Sequence, residues 1–115
     1  MSPAPKRIGS VPYLNSVPLT YGIEEETDFV VPSALAEKIR DGELDAALVS
    51  ITEALFYENY DILDGVAVAS DGPVKSVFLA HRQQLEEIKT VYCDTASLTS
   101  VNLLRVLLAE RGINP

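Results

Sequence analysis

An early alternation of short apolar runs with helix signals sets the strongest limit on what this chain can fold into. Residues 6–10 read as a brief strand that Pro12 stops. Asn15 or Ser16 can then cap a helix with Pro18 in its first turn, where the missing N–H does no harm, and Gly22 ends it. Residues 28–31 form a second strand. Pro32 and Ser33 open a helix, with Ser33 as N-cap, Leu35, Ala36 and Ile39 as the apolar stripe and Gly42 as the stop. Residues 44–50 are nearly continuous in apolar side chains, as buried parallel strands are, and a helical turn follows through Leu55 and Phe56. Strand and helix in repeated succession predict a parallel α/β sheet with right-handed crossovers.

Beyond Asp61 the pattern changes. Residues 62–70 and 74–81 are strand-like runs joined by Asp71-Gly72-Pro73. They form either an antiparallel hairpin or a pair of strands leaving the sheet for a second lobe. Residues 89–94 supply another strand, with Cys93 as a small core residue, and a long helix then runs to Arg111 with Gly112 as its cap. That helix carries Leu98, Val101, Leu103, Leu104, Val106, Leu107, Leu108 and Ala109, so it is apolar on more than one face. A surface helix needs a single stripe, and the second face requires cover.

Charge and cysteine content narrow the function classes. The net charge of -8 argues against nucleic acid, which needs clustered Lys and Arg. It leaves small anions open, because backbone N–H groups bind them in acidic proteins too. One cysteine in 115 residues permits neither an internal disulfide nor a cysteine-based metal cluster, and it suits a reducing cytoplasm. The amino end lacks the apolar region of a secretory signal, and no uncharged run approaches the roughly 18–20 residues of a membrane helix. Gly-rich phosphate loops, a nucleophile elbow and metal-ligand spacings are likewise missing. The expectation is a cytoplasmic protein without metal or cofactor.

Two polar stretches remain as candidate sites. The first follows the first strand, where Ser10, Tyr13, Asn15 and Ser16 would line the crevice outside the carboxyl end of a parallel sheet. Ser50 ends the third strand on the same pattern. The second surrounds the start of the last helix, where Thr95, Ser97, Thr99 and Ser100 follow Asp94. One hydroxyl would suffice for capping, so four suggest a cradle for a carboxylate or phosphate, with plain capping as the alternative. Ser76 interrupts an apolar run and faces either a cleft or solvent. His81, the lone histidine, has no catalytic partner nearby and reads as a strand-end residue.

The stretch Gly9-Ser-Val-Pro-Tyr-Leu-Asn-Ser-Val-Pro-Leu19 resembles the amino-terminal signature of chorismate dehydratases of the futalosine route to menaquinone. Residues 44–50, 72–78 and 97–104 resemble three later segments of that family in the same order. The resemblance implies a type 2 periplasmic-binding-protein-like fold, with residues 1–85 as a three-layer α/β/α lobe and 86–115 as the start of a second. It implies loss of water from chorismate to give 3-(1-carboxyvinyloxy)benzoate, with no cofactor. Asn15 and Ser76 would then act at the reacting ring. Ser10, Tyr13, Ser50, Thr95, Ser97, Thr99 and Ser100 would bind the substrate. Family members run to roughly twice this length, so the chain is expected to hold an incomplete second lobe. A homodimer or a segment-exchanged oligomer would cover the exposed helix face. The alternative is a non-catalytic module of the same fold that holds a small carboxylate. A sister enzyme acting on a naphthoate precursor differs in its amino-terminal motif.

Overall fold

The computed structural model describes residues 6–115, so the amino-terminal end read above for a secretory signal lies outside the described residues. The chain divides into two compact units, one ending at Val68 and the other running Ala69–Pro115.

The first unit is built on a parallel sheet of three short strands, β1 (Ile8–Ser10), β2 (Thr27–Phe29) and β3 (Ala46–Ala47), in the order β2-β1-β3. Ile8 pairs with Thr27 on one side and with Ala46 on the other. Single bonds extend the pairing past the strand ends: Val30 N–H to the Ser10 carbonyl and Leu48 N–H to the Gly9 carbonyl, both 3.0 Å. The mixed α/β class and the parallel pairing agree with the sequence pattern. β2 begins one residue earlier than expected, and β3 is shorter than the apolar run that encodes it.

Helix α1 (Val17–Thr20) follows a 3-10 turn over Leu14–Ser16, and Gly22 leaves it at φ +86°. The glutamates of Glu24–Glu26 form an exposed 3-10 turn, the solvated reading their charge predicts. Helix α2 (Pro32–Arg40) starts with proline at its first position, but the expected cap is displaced. Val31, not Ser33, is the N-cap, because the residue before a proline is driven to extended backbone (φ -64°, ψ 154°) and the helix must begin after it. Lys38 and Arg40 lie in the last turn, where their charge complements the helix dipole. Gly42 at φ +75° then turns the chain.

Leu35 is fully buried, and with Val11 and Leu44 it forms the core over which Val30, Ile39, Ala47, Leu48 and Val49 pack. Burying a leucine side chain contributes roughly 2 kcal/mol. Gly9 lets α2 approach closely: a Cβ there would lie 2.5 Å from Leu35 Cδ1 and 2.6 Å from Leu44 Cδ1. Arg7 ties the start of β1 to Asp45 before β3. Its backbone N–H donates to Asp45 Oδ2 at 2.8 Å, and its guanidinium meets Oδ1 at 3.3 Å. These bonds hold the Asp45 carboxyl below the usual carboxylate range. Helix α3 (Ile51–Phe56) closes the unit's regular structure.

The chain beyond α3 corrects several expectations. Residues 62–70, 74–81 and 89–94 form no strand among the described residues, and bends, turns and irregular backbone take their place. A strand exists only through a paired neighbour, and here apolar alternation meets none. Cys93 is exposed rather than in a core, because the segment that carries it is unpaired. Helix α4 (Leu98–Glu110) forms as the sequence predicts and stops one residue before the expected Arg111. Ile113 N–H bonds back to the Leu108 carbonyl at 2.9 Å, and both side chains are buried. Leu103, Val106 and Leu107 remain exposed, so the surplus apolar face read from the sequence is present and uncovered.

Candidate functional site

The candidate residues fall into two groups, one on each unit. In the first unit Ser10 ends β1 and Ser50 follows its neighbour β3 in one parallel sheet, so both stand at its carboxyl end, where such sheets place ligands. Ser10 is 1% exposed, and its Oγ is the one buried side-chain polar atom among the described residues with no hydrogen-bond partner. Side chains alternate across a strand. Gly9 faces the Leu35 side of the sheet, so Ser10 faces the opposite side, away from α2.

The turn after β1 is locked by Ser16. This side chain was expected to line the cleft, but it is buried and points inward. Its hydroxyl donates in three-centre fashion to the carbonyls of Val11 and Tyr13, at 2.9 and 2.7 Å. The Ser16 N–H also donates to the Tyr13 carbonyl at 3.1 Å. With those carbonyls occupied, the turn presents the side chains of Tyr13 and Asn15 to solvent. Asn15 makes no side-chain hydrogen bond with the described residues, which leaves its amide free to meet a ligand.

Ser50 caps α3, accepting the Thr52 N–H at 3.2 Å and lying 2.8 Å from the Thr52 hydroxyl. Just beyond it stands a cluster that sequence reasoning missed. The Glu53 carboxylate, 4% exposed, is held by both arms of the Arg40 guanidinium at 2.9 and 3.3 Å. The Tyr60 hydroxyl donates to its Oε2 at 3.3 Å, and the Arg40 guanidinium lies 4.8 Å from the centre of the Tyr57 ring. Glu53 holds Arg40 protonated to still higher pH than usual; burial, then Glu53, pushes the Tyr60 hydroxyl up. The signal available in sequence was a glutamate set inside the otherwise uncharged Ile51–Phe56 segment.

In the second unit Ser76 is exposed in a bend. Ser97 is the N-cap of α4, its Oγ accepting the Ser100 N–H at 3.3 Å, and Asp94 Oδ1 accepts the Ala96 N–H at 2.9 Å. Ser97 and Asp94 are thus committed to local turns, the plain capping alternative. Thr95 and Thr99 are exposed beside them. Among the described residues no group of three or more His, Cys, Asp or Glu is arranged to hold a metal, and no helix is long and apolar enough to cross a membrane.

A family profile described as menaquinone biosynthesis matches residues 6–115. The chain belongs to that family. A chorismate dehydratase from Thermus thermophilus is 35% identical to this menaquinone biosynthesis family member over 118 residues, covering 96% of the chain. The same match takes in 42% of that relative, so the chain spans less than half of its length. No solved structure matches the chain.

Proposed function

We propose that the protein to which this sequence belongs is a chorismate dehydratase, eliminating water from chorismate to give 3-(1-carboxyvinyloxy)benzoate on the futalosine route, in the cytoplasm. The observation that carries this reading is the 35% identity to the Thermus thermophilus chorismate dehydratase across nearly the whole chain. The site chemistry supports it. Losing a ring proton and a hydroxyl from chorismate creates an aromatic ring, so the reaction asks mainly for alignment of a dicarboxylate. Hydroxyls and one amide suit that task. In this reading the Asn15 amide orients the substrate and assists proton removal, with Ser76 bonding the reacting ring. A substrate carboxylate serves as the base. Ser10, Tyr13 and Ser50 bind the substrate in this reading, as do Thr95, Ser97, Thr99 and Ser100. The fold would be periplasmic-binding-protein-like, with lobes at 1–85 and 86–115. Copies of the chain would pair, with or without exchange of segments, over the exposed face of α4.

Incubation of the chain with chorismate, followed in the ultraviolet, tests the reading. A new aromatic absorbance that vanishes in Asn15→Ala supports it. Binding without turnover favours the second reading, a solute-binding module for a small carboxylate. Neither binding nor turnover counts against both.

A further inference from the structure

Helix α3 buries no hydrophobic side chain fully. Its buried side chains are Thr52 and Glu53, while Ile51, Leu55 and Phe56 are 53%, 71% and 66% exposed. Six residues are far short of the roughly 12–15 that make an isolated helix even marginal in water, so something outside the helix holds it. That hold is polar and comes from two directions. Arg40, at the end of α2, grips both oxygens of Glu53, and Tyr60, from the segment after α3, donates to one of them. A two-pronged guanidinium contact fixes orientation as well as distance. Rotation of α3 about its axis is therefore set by Glu53. The first turn connects this setting to the cap, since Glu53 N–H donates to the Ser50 carbonyl at 3.0 Å and Thr52 N–H to the Ser50 hydroxyl.

We infer that Glu53, gripped by Arg40 and Tyr60, is a positioning residue that sets the Ser50 turn at the carboxyl end of β3. This rests on the reading of Ser50 as a wall of the ligand site. Arg40 and Tyr60 act through Glu53, and Glu53 acts through Ser50. None of the three needs to touch the substrate.

Two measurements on the full chain test the assignment. In amide hydrogen exchange, Glu53→Gln should raise the rate at Thr52 relative to Leu48 by about tenfold, since the clamp governs local opening of α3 and not the β1–β3 pairing. Arg40→Lys keeps the charge but loses the fork, and it should give a smaller rise in the same ratio. It also serves if Glu53→Gln does not fold. An unchanged ratio in the folded variants overturns the inference. In chorismate titrations, Ser50→Ala with Glu53→Gln should lose no more affinity than Ser50→Ala alone, whereas additive losses overturn it. Failure of the unaltered chain to bind chorismate counts against the proposed function, and exchange then decides the role of Glu53 by itself.

Discussion

A buried hydroxyl without a partner is a cost that folding alone does not explain. Leaving such a group unsatisfied costs about 1–3 kcal/mol, so Ser10 is a residue the fold would be better without. Ser10→Ala is therefore expected to leave the melting temperature unchanged or raise it, while weakening chorismate binding in titration. A clear loss of stability with binding intact would make Ser10 a structural residue. Its neighbour behaves in the opposite way. Gly9→Ala must push a methyl into Leu35 and Leu44, and overpacking of that kind costs about 1–3 kcal/mol, seen as a lower midpoint in denaturant melts. Asn15→Ala removes an exposed side chain with no bond to lose, so its melt should match that of the unaltered chain within about 0.5 kcal/mol. Asp45 adds a dependence on pH. Arg7 lowers its folded value below the unfolded one, so the pair stabilises above the unfolded carboxylate range and is lost as pH falls through it. The melting temperatures of the unaltered chain and Asp45→Asn should differ at neutral pH and converge at acid pH, once the pH has fallen through the lowered folded value, with added salt shrinking the difference.

At the scale of elements, those written in glycine and proline chemistry were legible and those requiring a distant partner were not. Pro32 with Gly42 marked α2, and Ser97 with Gly112 marked α4, because capping and left-handed turns are decided within a few residues. Even there Ser33 misled: a serine beside a proline looks like a cap, but the proline had already set the cap one residue before itself. Ser97 tests the same logic. Ser97→Ala should cost α4 about 1 kcal/mol, read as a loss of helical circular dichroism on warming, since its hydroxyl meets the Ser100 N–H. The runs at 62–70, 74–81 and 89–94 carry apolar alternation suited to strands, yet they stand unpaired. Alternation states which face a strand would bury; it does not supply the neighbour.

For the whole molecule, the uncovered apolar side chains of α4 are a surface that water tolerates poorly. Gel filtration over a range of concentrations should show the chain leaving the monomer position as concentration rises. A clean monomer throughout would argue against association through this face. The candidate site follows the same division. Its residue types were readable from one motif, Gly9 to Leu19, and from the Ser97 helix start.

Taken alone, the sequence determined the parallel strand–helix order, the carboxyl-end placement of Ser10 and Ser50, and the resemblance that the family match then bore out. Those features are local in the chain, set by periodicity, by turn residues and by motif spacing. Only the tertiary structure decided that Ser16 faces inward, that the Ser10 hydroxyl is buried without a partner, and that Glu53 is a buried carboxylate clamped from 13 residues away. The physical reason is desolvation. Whether a polar group loses its water, and what then satisfies it, depends on the elements that close over it, which the spacing of neighbouring residues does not record.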